Sequence, residues 1–423
     1  MRLLMLLSAI SLFAETRTLT LKQAVDLALE QSPDLVLARL DELKANQAVR
    51  AARDPFIPKV YVGSGLAYTY GFPMSIDGSA PSIVQARGVA SIYDKTKSLK
   101  LAEERENVRT AKVSVEGRRE EVAERVALAY LEADRAARLA RVAGKQVDAL
   151  TQVLESIKAK VSEGRAIRLD EMRADLERER SRERARLLEG DARFAQTQLS
   201  LLVGGTADDR IETNPELAPI QGMPESETAA VTQALESSNE LKRLQSSLLA
   251  QGFNLQLERA ARMPKIDSVA QYGLFAKFNN FDQYFNRFQR NNAQIGLSFQ
   301  LPVLAGTAAS AATATAQAES SRLRTELGRV RNRTSYATQQ AYQAVTNAER
   351  GRELARLELE LQRENVAVTL ARQEGGRATL ADVEQARFNE GERWIGYYDA
   401  QYQLERAKVA LLRWSGALLV ALR

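Results

Sequence analysis

Two short spans of this 423-residue chain gather the groups best suited to binding charge. They read Gly164-Arg165-Ala166-Ile167-Arg168-Leu169-Asp170 and Gly376-Arg377-Ala378-Thr379-Leu380-Ala381-Asp382, with one Gly-to-Asp spacing and an Arg directly after each Gly. Arg keeps its charge at any physiological pH and donates in a fixed fork, while an exposed Asp is an ionised acceptor. The pattern therefore suits ionic contacts rather than proton transfer. Catalysis near neutral pH favours a group that titrates there, and the chain has no His and no Cys. Carboxylate or Ser–Lys chemistry would remain, yet no nucleophile elbow, phosphate loop or zinc-helix motif occurs. The expectation is a non-enzyme, with no catalytic residue, cofactor or metal.

Long helical patterns must position both spans. Val126, Ala129, Ala133, Ala136, Ala140, Ala143, Val147, Leu150, Leu154, Ile157 and Val161 step by three and four, a coiled-coil seam. Leu323, Leu327, Val330, Thr334, Ala337, Ala341, Ala344 and Ala348 repeat it. Gly164 and Gly376 permit the chain to reverse after each seam, and Asp170 and Asp382 fall in the first turn of the returning helix, where negative charge suits the dipole. Capping and gating both fit the two Asp residues. Arg165, Arg168 and Arg377 have no comparable structural duty at a solvated tip, which makes them the better candidates for gate or partner contacts.

The first long helix, from about 97 to Val161, reaches roughly 100 Å at 1.5 Å per residue, and its return leg to 203 only about 55 Å. The missing length falls to a helix expected from near Glu227 to about Arg262. Between them, Gly204-Gly205, Pro215, Pro219 and Pro224 exclude one continuous helix, so 204–225 reads as an irregular equatorial linker.

A shift of 206 positions carries Ala24-Val25, Ala28-Leu29-Glu30, Ser32, Leu35 and Pro58-Lys59 onto Ala230-Val231, Ala234-Leu235-Glu236, Ser238, Leu241 and Pro264-Lys265. Further on, a shift of 212 carries Gly164-Arg165-Ala166 onto Gly376-Arg377-Ala378 and Asp170 onto Asp382. The chain thus reads as two tandem repeats, 15–203 and 226–423. The first holds a β-hairpin at about 58–93 and a helical hairpin at about 97–203, with its tip near 164–170. The second holds a β-hairpin at about 264–303 and a helical hairpin at about 306–415, with its tip near 376–382.

In the hairpins the period changes to two. Ile295, Leu297, Phe299, Leu301 and Val303 alternate with Gln294, Gly296, Ser298 and Gln300, and Val60, Val62, Leu66, Tyr68 and Tyr70 alternate with Tyr61, Gly63, Gly65, Ala67 and Thr69. Segment 82–93, containing Arg87, alternates least. Ile295, Leu297, Phe299 and Leu301 are the candidates for a lipid-facing surface. Four strands cannot close a membrane barrel, so a barrel requires association of chains, and a four-stranded cap packed on helices is the other reading.

The apolar run Leu3–Ile10 after Arg2, followed by Ala14 and polar Glu15, predicts a signal peptide at 1–14, with an uncleaved amphipathic start as the alternative. No later stretch reaches the roughly 18–20 apolar residues of a membrane helix. The +5 formal charge is spread among interleaved acids and bases, and Leu176–Arg184 reads as a solvated helix face with Glu177/Arg180 and Glu183/Arg186 pairs. No nucleic-acid partner is expected.

On these features, above all Ile295-Gly296-Leu297-Ser298-Phe299-Gln300-Leu301-Pro302-Val303-Leu304 and the paired tip turns, the chain resembles the TolC family of outer-membrane efflux proteins. The resemblance covers essentially the whole chain after the apolar start. It implies a mainly α fold with a β-barrel part: a homotrimer with a 12-stranded transmembrane barrel in outer-membrane lipid and a 12-helix periplasmic tunnel. It further implies a passive exit duct for tripartite efflux or type I secretion in a Gram-negative bacterium. A periplasmic adaptor would dock on the tip turns, and an RND or ABC inner-membrane pump would act through that adaptor. Ionic links among tip residues would hold the tunnel closed. Two departures stand out: Arg165 takes a place where an apolar residue is common, and Glu384 and Gln385 follow Asp382 where a second Asp would complete a constriction. A soluble periplasmic coiled-coil scaffold is the competing reading, and it accounts for the heptads alone.

Overall fold

A computed structural model of the chain describes residues 16–66, 82–206, 208–214, 220–276, 282, 286, 289–303 and 307–422. The expected signal peptide (1–14), Tyr68, Tyr70, Pro215 and Pro219 lie outside them.

Strand β1 (Thr16–Leu19) leads into α1 (Leu21–Gln31) and α2 (Pro33–Arg53). Then come β2 (Lys59–Gly65), β3 (Ser82–Asp94), α3 (Lys95–Ser162) and α4 (Arg168–Leu202). The second half follows with β4 (Arg210–Thr213), α5 (Glu227–Ser237), α6 (Asn239–Ala260), β5 (Lys265–Phe275) and β6 (Asn291–Gln300). It closes with α7 (Ala308–Glu374), α8 (Leu380–Ser415) and the short α9 (Leu418–Ala421).

Local chemistry sets the boundaries. Thr20 caps α1 by accepting from Gln23 N–H at 3.3 Å while the Gln23 side chain returns a bond to the Thr20 N–H at 2.9 Å, and Ser226 caps α5 through the Ala229 N–H at 3.2 Å. Pro33 cannot continue α1 but suits the first position of α2. Two expectations are corrected here. The helix expected over 227–262 is two helices, broken at Ser238, the counterpart of Ser32. The 204–225 linker is not wholly irregular, because β4 lies in it and pairs in parallel with β1, Thr16 opposite Arg210 through Leu19 opposite Thr213.

The chain forms two compact units. One comprises residues up to 37, 116–239 and from 331 onward. Its main core joins α1, α2, α3, α4, β4 and α8 through Ala24, Ala28, Leu35, Val126, Tyr130, Ala133, Leu199, Ile211 and Leu412. Ala123, Ala127 and Ala133 are fully buried, so helix axes approach closely along α3. On α7 the buried steps are Val330, Thr334, Thr338, Ala341 and Val345; Ala344 of the expected seam is exposed. The other unit comprises 38–115 and 240–330 and carries the four-stranded sheet, ordered β2-β3-β5-β6 with every pairing antiparallel.

Candidate functional site: sheet faces and helix turns

Register assigns every sheet residue to a face. Tyr61, Arg87, Gln271 and Gln294 form one row across all four strands, and Gly63, Gln85, Gly273 and Asn292 another, both on the same side. The opposite side carries Val60-Gly88-Ala270-Ile295 and Val62-Ala86-Tyr272-Ala293, with Leu297 and Phe299 opposite Ser268 and Ile266. One face is thus mostly apolar over four strands, and the other is polar or small apart from Val89 and Val269. Arg87 sits on the polar face, which explains the weak alternation of its strand. The apolar face is uncovered: Ile295 is 89% exposed, Val62 73% and Leu297 71%. Leu301 is also exposed but follows the last residue of β6, a correction to its expected place on the strand. Among the described residues, β2 and β6 each have one partner strand, so both outer edges are open.

The sheet joins helix α3 at Asp94, which is buried. Its Oδ1 accepts from Thr96 N–H at 2.9 Å, Thr96 Oγ1 at 2.6 Å and Lys97 N–H at 3.3 Å, capping the first turn of α3. Lys97 Nζ at 3.5 Å and Lys265 Nζ at 3.9 Å supply counter-charge.

The two tip turns have the same backbone. Gly164 and Gly376 take φ of 71° and 72°, the left-handed region that a side chain disfavours. Arg165 N–H donates to Lys160 O at 2.8 Å and Gly164 N–H to Val161 O at 3.0 Å; Arg377 N–H donates to Arg372 O at 2.7 Å and Gly376 N–H to Gln373 O at 2.9 Å. This pair of bonds is the Schellman closure of a helix end. On the return, Asp382 accepts from Thr379 N–H at 2.8 Å and Thr379 Oγ1 at 2.7 Å, while its own N–H donates to Thr379 Oγ1 at 3.2 Å. Those donors hold its carboxyl below the usual carboxylate range. Asp170 reaches the Ile167 N–H more loosely, at 3.4 Å.

The arginines behave differently. Arg165 pairs with Glu163 of its own turn, whereas Arg168 and Arg377 are exposed and make no side-chain bond among the described residues. A single chain does not bring these three to the other hairpin.

Ties between hairpins lie elsewhere, in pairs that heptad reading did not single out. Arg135 of α3 meets Asp399 of α8 at 2.8 Å and Arg413 of α8 meets Glu120 of α3 at 2.7 Å, while Arg393 of α8 meets Glu358 of α7 at 2.8 Å within the second hairpin. Arg184 of α4 bonds Glu392 of α8. Tyr130, 1% exposed, donates to Leu19 O at 2.9 Å and accepts from Asn214 N–H at 3.0 Å, pinning β1 and the residue after β4 to α3. In the Leu176–Arg184 region and just beyond, Glu177/Arg180 and Glu183/Arg186 pair at 2.7 and 3.6 Å on an exposed face. Among the described residues no helix is long and apolar enough to cross a membrane, and no acidic group is arranged to hold a metal.

No family profile matches the chain. Outer membrane efflux protein BepC of Brucella suis is 22% identical over 299 residues, which is 69% of this chain and 62% of BepC, so the match spans less than two thirds of that relative. The outer membrane protein VceC of Vibrio cholerae has a similar structure, with a TM-score of 0.77, 14% identity, and 94% of this chain and 96% of VceC covered. The CmeC outer membrane channel of Campylobacter jejuni gives 0.76 at 14% identity, over 94% of this chain and 85% of CmeC.

Proposed function

Starting from a chain with the fold of TolC-family outer-membrane efflux proteins, we propose that it is the outer-membrane exit duct of a tripartite efflux or type I secretion system. The observation that carries this reading is the sheet. It has an uncovered apolar face, a polar face and two open edges, which suits a barrel wall rather than a cap buried on helices or a soluble scaffold. Ile295, Leu297 and Phe299 face lipid; Tyr61, Arg87, Gln271 and Gln294 face the lumen. Three chains supply twelve strands, each β6 edge closing on a neighbour's β2, and twelve hairpin helices form the periplasmic tunnel.

Transport through the duct is passive. The turns at Gly164–Asp170 and Gly376–Asp382 meet a periplasmic adaptor, and through it an inner-membrane pump of RND or ABC type. Arg165, Arg168 and Arg377 make the contacts between neighbouring hairpins that narrow the tip. The test is reconstitution of the full-length protein in planar bilayers. Discrete conductance steps from a membrane-extracted, heat-modifiable oligomer are expected. Recovery of the protein wholly in the soluble periplasmic fraction, without conductance, would overturn the reading.

A further inference from the structure

The polar face of the sheet carries one charge that nothing neutralises. By register its charged side chains are Lys59, Arg87, Asp94, Lys265 and Asp267. Four of them are matched at the end next to α3: Lys59 pairs with Asp54, Lys265 with Asp94 at 3.9 Å and Asp267 with Lys97 at 3.9 Å. Arg87 is exposed and makes no hydrogen bond or ion pair among the described residues. It lies four residues along β3 from Ser91, the partner of Asp267, which is about 13 Å at roughly 3.3 Å per residue. Past the other end of the sheet, Arg290 donates to Phe275 O at 2.8 Å and adds positive charge, not negative. Gln271 and Gln294 share the row of Arg87, so an amide is enough to keep that row polar, and the charge of Arg87 answers no need of the fold.

We propose, resting on the trimeric barrel described above, that Arg87 makes the barrel lumen an anion-attracting station that favours solutes bearing carboxylate, phosphate or sulfate groups. Three chains place three guanidiniums at one height, walled by sheet and lipid of low dielectric, where like charges reinforce one another's field. Each guanidinium offers a planar fork that matches such anions with two bonds. A cation at the same height is repelled.

The field is read with a thiol reporter, because the chain has no Cys of its own. Gln294→Cys places one in the row of Arg87, two strands away, about 10 Å at roughly 4.8 Å per strand. In the closed barrel the neighbour's β3 lies two strands away on the other side. Full-length protein in phosphatidylcholine nanodiscs is treated with 2-sulfonatoethyl or 2-(trimethylammonio)ethyl methanethiosulfonate. The anionic-to-cationic rate ratio, in which the thiolate fraction cancels, is divided by that of free 2-mercaptoethanol. At about 0.01 M ionic strength, where the Debye length is about 30 Å, Arg87→Gln should lower this ratio about threefold or more and Arg87→Glu further. Near 1 M, where the length is about 3 Å, the difference should vanish. Arg87→Lys should keep most of the ratio. A reactive thiol whose ratio is the same with Arg87 and with Arg87→Gln would overturn the anion station and leave the barrel standing. Ile295→Cys, on the lipid face, should react far more slowly. Equal rates at positions 294 and 295, or no reaction at 294, would overturn the barrel and the station with it.

Discussion

Charged residues at the turns divide by what they touch. Asp382 is bound to Thr379 through backbone and hydroxyl, so its charge belongs to the start of α8. Because its folded pKa is depressed, it adds stability above its unfolded value, near 3.8, and that contribution is lost as pH falls through the folded pKa. Amide exchange in the first turn of α8 should therefore rise, relative to the helix interior, below about pH 3.8; an equal profile at pH 3 and pH 6 would contradict this. Thr379→Ala should loosen the same turn by about 1 kcal/mol at neutral pH, seen as roughly fivefold faster exchange there. Among the described residues Arg168 and Arg377 make no side-chain bond. Replacing Arg165, Arg168 and Arg377 by Ala should raise single-channel conductance while thermal stability changes little, since the apolar seams lie on other residues. Unchanged conductance together with intact adaptor cross-linking at the turns would reduce these arginines to solvating groups.

Among the elements, the strands are read most directly in the side-chain period, because a period of two fixes a face as soon as one neighbour is known. Val60, Val62, Ile295, Leu297 and Phe299 were legible that way. Arg87 was not, since its strand becomes intelligible only beside Gln271 and Tyr61. The paired strands β1 and β4 escaped notice for another reason: four residues carry too little periodicity, and a buried Tyr130, 111 residues from Leu19 and 84 from Asn214, holds them. The tip turns were legible through Gly and spacing, but the role of Asp382 needed the Thr379 geometry. Two measurements follow. Leu297→Arg should cost about 2–4 kcal/mol in refolding into bilayers if Leu297 lies near the midplane, while Ser298→Arg is tolerated, and equal costs would mean that the faces are misassigned. Tyr130→Phe removes two hydrogen bonds, while Asn214 N–H keeps its bond to Leu19 O at 3.2 Å, and it should cost about 1 kcal/mol, read as a lowered Tm; an unshifted Tm would show that the hydroxyl pins nothing.

For the whole molecule, what one chain leaves uncovered matters most. Leu169, Met172, Leu176, Leu187, Phe194 and Leu201 are exposed along α4, and Leu354, Leu357, Leu361 and Val368 along α7, both at heptad-like steps. The sheet adds two open edges, a feature that folded proteins normally cover or close. Burying both stripes and both edges in copies of the same chain accounts for all of them at once, and twelve strands are enough to close a barrel where four are not. Light scattering of the detergent-extracted protein, corrected for bound detergent, tests this most directly. The account predicts three chains per particle; a monodisperse monomer that keeps its β-signal in circular dichroism would contradict it.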